Sequence, residues 1–90
     1  MAIMGFILIN TLTGKEHDVQ DALSKTSGLS ECYALHEDYD FLVVIHALDS
    51  SALEKFVDGN IHIIPGIVGI KSIVGISSTP VEFYRLSQKP

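Results

Sequence analysis

The chain has 90 residues, of which 47% are hydrophobic and 19% charged, and its net charge is −5. This length allows one domain with a single core, and the scattered Lys and Arg residues argue against nucleic-acid binding, which requires clustered cations. No apolar run approaches the ~18 residues that span a bilayer, no signal peptide is recognisable, and a lone cysteine fits a reducing cytoplasm, so we expect a cytoplasmic protein.

The first predicted elements are a strand and an amphipathic helix. Residues Ile3 to Leu12 alternate between two faces that are both largely apolar, which predicts a strand covered on each side. Thr13 and Glu16 have the spacing of a capping box and predict that a helix begins there. The buried residues of this helix should be those with helical spacing, namely Val19, Ala22, Leu23 and Thr26. Gly28 is suited to end it as the residue after the C-cap.

The next predicted unit is a hairpin. Residues Leu29 to Glu37 form a weaker second strand, and Asp38 marks a tight turn into a third strand, Asp40 to Leu48. The third strand is the most apolar in the chain, because both of its faces are hydrophobic. One face carries Phe41, Val43, Ile45 and Ala47. The other carries Leu42, Val44 and Leu48, with His46 among them.

A second helix and a last strand complete the pattern. Ser51 and Glu54 form a second capping box, and the inward residues of the helix that follows are Leu53, Phe56 and Val57. Pro65–Gly66 predicts a turn into a strand from Ile67 to Ile76. One face of that strand should carry Val68, Ile70, Val74 and Ile76, and the other Ile67, Gly69, Lys71, Ile73 and Gly75. Residues 81–86 are compatible with a short additional edge strand.

The element order βαββαβ predicts an α+β fold, the ferredoxin-like plait, whose four-stranded antiparallel sheet carries both helices on one face. The helices leave the other sheet face bare, yet its residues are apolar. A second copy of the chain is the simplest cover, so we expect dimerisation through this face. We place the domain at residues 1–78 and treat residues 79–90 as a C-terminal tail.

Few residues carry a recognisable chemical motif. The histidines lack the paired spacing of a metal site, and we predict neither a metal nor a cofactor. Cys32 has no basic neighbour in sequence and is expected to be inert, and His46 is expected to be a hydrogen-bonded core or interface residue. Because no nucleophile, base and orienting acid can be assembled, the sequence does not predict an enzyme.

Asp40 and Ser72 each allow two interpretations. Asp40 follows Asp38 and Tyr39, and composition favours ordinary turn chemistry for it over binding of a ligand ammonium group. Ser72 lies among apolar strand residues, where its hydroxyl needs a hydrogen-bond partner. That partner is equally well a protein group or a ligand.

Four stretches together resemble the Lrp/AsnC ligand-binding domain, or RAM module. They are LINTLTGKEHDVQDAL, the hairpin GLSECYALHEDYDFLVVIHALD, the second helix, and IPGIVGIKSIV in the last strand. The resemblance implies a sheet-to-sheet dimer that assembles further, often to an octamer. It also implies a small effector, typically an amino acid, bound between dimers near the hairpin turn and the last strand.

The resemblance assigns roles to individual residues. Tyr39 and Asp40 match the hairpin motif, with Asp40 as the partner of an α-amino group, and Ser72 matches a hydroxyl position on the last strand. The residue at the other hydroxyl position is Ile70, and the turn has Glu37 and Asp38 where the family often has a small residue. The predicted ligand-binding set, drawn from the hairpin and the last strand, is His36, Asp38, Tyr39, Asp40, Ile70 and Ser72.

Full-length members of this family carry a helix-turn-helix domain before the module, whereas this sequence begins at the first strand. It therefore resembles the stand-alone members, and we expect indirect regulation of transcription through co-assembly with full-length regulators. Two alternatives stay open. One is a small dimeric ferredoxin-like monooxygenase or isomerase with His36 or His46 and Asp40 as an acid–base pair, and the other is an assembly domain without a ligand.

Overall fold

The computed structural model describes residues 2–76. Its elements, in chain order, are β1 Ile3–Thr11, α1 Glu16–Ser24, β2 Glu31–Ala34, β3 Phe41–Ala47, α2 Ser50–Phe56, a π-helical turn Val57–Ile61, and β4 Ile67–Ile76. The predicted domain boundary at residue 78, the tail and the edge strand over residues 81–86 lie outside the described residues. No helix within residues 2–76 combines the length and apolar character needed to cross a membrane.

The four strands form one antiparallel sheet in the order β2-β3-β1-β4. In the central register, Ile7 of β1 lies between Val43 of β3 and Ser72 of β4. Side chains directly opposite each other in an antiparallel ladder point to the same face. The register therefore assigns a face to every strand residue, and the predicted ferredoxin-like fold is confirmed.

The core lies between one sheet face and the helices. The sheet contributes Ile7, Ile9, Phe41, Val43 and Ile45. The helical segments contribute Val19, Leu23, Leu53, Val57 and Ile61. Except for Ile61 of the π-helical turn, which was not predicted, both groups match the predicted apolar patterns, because alternation in the strands and the 3.6-residue period in the helices each bring one face inward.

The opposite sheet face is largely apolar and has no helix over it in the described part of the chain. Its large apolar residues, identified by their parity in the ladders, include Met4, Phe6, Leu8, Leu42, Val44 and Ile73, and the same face also carries Asn10, Glu31, His46 and Lys71. Val44 is buried, Phe6 and Leu8 are half-buried, and Ile73 remains 47% exposed. We call this the open face.

Both predicted capping boxes are wrong. Helix α1 has Lys15 as its N-cap without a side-chain cap, and Glu16 instead reaches back to accept from the Gly14 backbone N–H at 2.9 Å. Helix α2 has Asp49 as its N-cap, and the Asp49 carboxylate accepts from Ala52 N at 2.8 Å. Asp is as good an N-cap as Ser, so α2 begins at Ser50, before the predicted cap Ser51.

The segment after α1 also differs from the prediction. The helix ends at Ser24 with Lys25 as its C-cap, so Gly28 is not the residue that follows the cap. Gly28 lies in a later turn and has a φ of 97°. A Cβ at this position would lie 2.6 Å from the Phe56 ring. The second strand is limited to Glu31–Ala34, because residues 36–40 bend away, and His36 is therefore not on a strand.

A β-bulge changes one face assignment in β4. Thr11 pairs with Ile67 and Asn10 pairs with Gly69, so Val68 is an extra residue in the ladder. Ile67 consequently packs against the core instead of sharing a face with Gly69 and Lys71. The strand alternation after the bulge is as predicted, with Ile70, Val74 and Ile76 on the helix side.

Gly5 permits the close approach of α2 to β1. A Cβ at this position would lie 2.7 Å from both Leu53 Cδ1 and Leu53 Cδ2, and Leu53 is only 2% exposed. Because Leu53 is enclosed by the core, it has little room to move away. Any side chain at position 5 therefore pushes the helix away from the sheet.

We expect Gly5→Ala to lower the free energy of unfolding by about 1–3 kcal/mol through overpacking. Urea denaturation at fixed protein concentration measures this loss. Gly59→Ala is the matched control, since a Cβ at Gly59 meets nothing within 4 Å, and it should leave stability equal or slightly higher. Equal stabilities for the two variants would contradict the close contact.

Candidate functional site

The hairpin turn between β2 and β3 is anchored to β1. Leu35 N donates to Asp40 O at 2.8 Å, which closes the turn, and Asp40 N donates to Ile9 O at 2.8 Å. His36 and Asp38 are exposed, whereas Tyr39 and Asp40 are half-buried. Four of the predicted ligand-binding residues therefore share one short turn at the end of the central strand.

The Asp40 carboxylate binds the end of β1. Its Oδ2 accepts from Thr11 N at 2.7 Å and from Thr11 Oγ1 at 3.0 Å. Hydrogen bonds to an ionised acceptor are stronger than neutral ones, so this contact fixes the hairpin against the central strand. These are contacts across 29 residues and not the local turn chemistry that composition favoured. They occupy Oδ2, while Oδ1 has no hydrogen-bond donor within residues 2–76.

A groove of about 420 Å³ lies between α2 and the helix side of β4. Its apolar surface is formed by Leu53, Val57, Ile70 and Val74. Its polar lining consists of Ser50, Glu54, Asp58, His62 and Ser72. An apolar surface with a few convergent polar groups is the usual composition of a small-molecule site.

Four of these polar residues form a stripe along the helical segment. Ser50, Glu54, Asp58 and His62 are spaced four apart, so they lie on one side of α2 and the π-helical turn. Asp58 Oδ1 lies 3.9 Å from His62 Nδ1. The sequence interpretation missed this stripe, although its four-residue spacing was visible.

The structure brings some predicted site residues together and separates others. Ile70 and Ser72 both line the groove, where Ser72 is exposed and open to water. The hairpin residues lie beyond β1, which separates β3 from β4 in the sheet. Two strand spacings amount to roughly 10 Å, so one chain by itself does not join the two halves of the predicted site.

The position of His46 does not support an acid–base pair between His46 and Asp40. His46 Nδ1 lies 2.9 Å from Ser30 Oγ, on the open face of the sheet. It lies six positions along the chain from Asp40, which corresponds to roughly 20 Å in a strand. His46 is hydrogen-bonded, as predicted. It is exposed in the single chain and therefore not a core residue, and its place in an interface stays a prediction. Within the described residues, no three His, Cys, Asp or Glu side chains form a group that could hold a metal.

Two side chains on β2 have raised pKa values. A hydrogen bond from the Tyr33 hydroxyl to Glu31, with the charge of that carboxylate, raises the pKa of Tyr33. Partial burial raises the pKa of the Cys32 thiol, although Cys32 is on an edge strand and exposed overall. The thiolate is the reactive form, so Cys32 is a poor nucleophile near neutral pH.

The chain is similar to known regulators. The model of the Lrp/AsnC ligand binding domain matches residues 4–84. The HTH-type transcriptional regulator FL11 of Pyrococcus horikoshii is 33% identical over 73 residues, which cover 81% of this chain and 48% of FL11. The chain therefore spans about half the length of the curated relatives it matches.

Two solved structures share the fold. The crystal structure of FFRP-DM1 has a TM-score of 0.74 and 27% identity, over 82% of this chain and 99% of that chain. The complex of the transcriptional regulator NMB0573 with L-Met from Neisseria meningitidis has a TM-score of 0.73 and 20% identity, over 84% of this chain and 51% of that chain. At this lower identity, the likeness concerns the fold alone.

We expect Asp40→Ala to lower the free energy of unfolding by about 1–3 kcal/mol without any ligand, because it removes the acceptor of two hydrogen bonds. Thr11→Val removes only the hydroxyl donor and should cost less, and the double variant should cost less than the sum. Urea denaturation measures all three. Asp18→Ala, an exposed carboxylate on α1, is the control, and an equal effect there would rule out the anchoring contact.

Proposed function

The chain belongs to the Lrp/AsnC ligand-binding domain family, and from this premise we propose that it is an oligomeric regulatory module that binds an amino acid. Residues 2–76 form a ligand-binding domain of this family, and its homologues are transcription regulators. The proposed regulation is indirect. Effector binding changes the assembly of this chain with itself or with full-length regulators of the same family.

The proposed effector site is shared between subunits. The observation that carries this proposal is the separation of the hairpin turn from the groove residues Ile70 and Ser72, with β1 between them. A groove open to solvent can accept the hairpin of a neighbouring subunit, whereas its own hairpin lies on the far side of the central strands. Binding and assembly are then coupled, because the ligand stabilises the assembled state that completes its site.

The proposed binding chemistry uses both halves of the shared site, the hairpin turn and the groove. The Oδ1 atom of Asp40 accepts from the α-ammonium group while Oδ2 holds Thr11, and the Ser72 hydroxyl donates to the ligand. The apolar side of the groove receives the ligand side chain. The transcriptional regulator NMB0573, which has a similar fold, was solved in complex with L-Met. This supports an amino acid as the class of effector here.

The proposed dimer forms through the open face. Ile73 stays 47% exposed in the single chain although it lies beside the half-buried Phe6. Contiguous apolar surface of this kind usually marks an interface. A second copy packed on this face would bury the open faces of both subunits. The groove and the hairpin would remain accessible for assembly of dimers into an octamer.

The enzyme alternative has less support. Of its two possible acid–base pairs, that of His46 and Asp40 is not assembled within one chain, whereas His36 lies in the same turn as Asp40. The homologues named above are regulators. The assembly domain without a ligand remains the competing function, and the amino-acid screen below separates it from the proposal.

We expect Ile73→Asp to convert the dimer to a monomer, because a carboxylate would then be buried without a partner in the interface. Sedimentation velocity measures the change. Ile63→Asp is the matched control, since Ile63 is 69% exposed and lies outside the sheet, and it should remain dimeric. Dimers in both variants would show that the subunits associate through another surface.

We expect one or a few of the twenty amino acids to raise the thermal midpoint of the protein. The stabilisation should reach ~2.7 kcal/mol at about 100 times the dissociation constant. Asp40→Asn and Ser72→Ala should each abolish or strongly reduce the shift, whereas Asp18→Asn should retain it. Asp40→Asn is preferred to Asp40→Ala, because the amide oxygen can still accept from Thr11.

The same screen decides between the two remaining functions. No shift with any amino acid would favour the assembly domain without a ligand. A shift that survives both Asp40→Asn and Ser72→Ala would place the effector elsewhere on the protein.

A further inference from the structure

The open face carries opposite charges at its two edges. Glu31 lies on β2, opposite Val44, and Lys71 lies on β4, opposite Leu8. Because β2 and β4 are the outer strands of the described sheet, three strand spacings, or about 14 Å, separate the two side chains within one subunit. Both are exposed, and neither forms an ion pair with another residue of the 2–76 range. The acidic and the basic edge can therefore meet only across two subunits.

The same two edges hold large side chains that stay half-exposed in the single chain. Tyr33 is 49% exposed on β2, and Ile73 is 47% exposed on β4. Each is two residues from the charge on its own strand and therefore shares its face. The Tyr33 hydroxyl donates to the Glu31 carboxylate, which holds that carboxylate beside the ring. One edge thus presents an acidic and aromatic pair, and the other presents the pair of Lys71 and Ile73.

Two copies packed face to face can align their sheets in two symmetric ways. Aligned sheets keep their strand directions within about 30° of each other, so an outer strand of one copy lies over an outer strand of the other. If the two-fold axis runs along the strands, β2 lies over β4 of the partner subunit at both edges. If the axis runs across the strands, β2 lies over β2 and β4 over β4. The strand order alone permits both arrangements.

The edge charges favour the arrangement with β2 over β4. The ladder registers then place Tyr33 over Lys71 of the partner subunit and Glu31 over Ile73, one position further along the same strand. The Glu31 carboxylate and the Lys71 ammonium group are then within reach of each other, and symmetry repeats the contact at the second edge. In the other arrangement, two carboxylates meet at one edge and two ammonium groups at the other. Like charges placed together across an interface weaken it.

We propose that Glu31 and Lys71 select the partner of the open face: a second copy of this chain packs with its β2 over β4, and each Glu31 pairs with Lys71 of the partner subunit. The pairing rests on the proposed dimer and adds to it the orientation of the subunits and the charges by which one chain recognises another. A chain of the same fold with a reversed charge at either position is then a poor partner.

The test uses a charge-swapped chain, Glu31→Lys/Lys71→Glu, whose net charge equals that of the wild type. The swapped chain should dimerise with itself, because both ion pairs persist with their signs exchanged. It should pair poorly with isotope-labelled wild-type chain, since that heterodimer has two carboxylates at one edge and two ammonium groups at the other. The mixture is kept at about pH 8, above the usual titration range of histidine, because His46 lies on the same face.

Native mass spectrometry of the equilibrated mixture counts the two homodimers and the heterodimer. The heterodimer share should fall about fivefold or more below the half expected for random pairing, because two ion pairs are replaced by two repulsive contacts. Asp18→Lys/Lys55→Glu is the matched control, since it exchanges the same charges between exposed positions on α1 and α2. This control should pair with the wild type at random.

The other outcomes overturn the pairing in distinguishable ways. Random pairing of the swapped chain with the wild type would show that these charges do not select the partner. A heterodimer share above one half would show that β2 lies over β2. Dimers in Ile73→Asp would contradict the proposed dimer itself, whereas monomers there together with random pairing of the swapped chain would overturn only the selection by charge.

A second mixture keeps the test decisive if the swapped chain does not dimerise. The single variants Glu31→Lys and Lys71→Glu should each self-associate about tenfold more weakly than the wild type, because each places like charges at both edges. Mixed in equal amounts, they should form heterodimers in which both ion pairs are present. Failure of this mixture to recover dimers would overturn the pairing.

Discussion

The two-sided pairing of β1 is the constraint on which the other elements depend. The strand is hydrogen-bonded to β3 on one edge and β4 on the other. Its helix side carries Gly5, against which Leu53 of α2 packs, and its last residue, Thr11, holds the Asp40 carboxylate. A shift of β1 by one residue would exchange its faces and would displace the hairpin, the helix and the groove together.

The central position of β1 also separates the two candidate ligand-binding regions of the domain, the hairpin and the groove. The hairpin and the groove lie on opposite sides of β1. The hairpin carries Glu37, Asp38 and Asp40, and the groove is lined by Glu54, Asp58 and His62. Asp40 stabilises the fold through Oδ2, and in the proposed function its Oδ1 also binds the ligand. A residue that does both makes simple alanine substitution ambiguous, which is why isosteric amide variants are the sharper probes of binding.

The fold was predictable from the sequence because its signals are local. Alternation in β1 and β3 and the helical spacing of Val19 and Leu23 identify the elements and their buried faces. The wrong predictions concern positions where the local sequence is compatible with two different structures. Asp49 replaced Ser51 as the N-cap of α2, and a bulge at Val68 reversed the face of Ile67. Both depend on where a neighbouring strand ends, which the local pattern does not contain.

The sequence by itself determined the fold class, the apolar open face and the resemblance to a ligand-binding family. These follow from residue periodicity and motif order, which are properties of the chain alone. Only the tertiary structure decided that Asp40 binds Thr11, that Ile70 and Ser72 share a groove with Glu54 and Asp58, and that β1 separates this groove from the hairpin. Contacts between residues far apart in sequence depend on strand order and register, and these emerge only when the whole sheet is assembled.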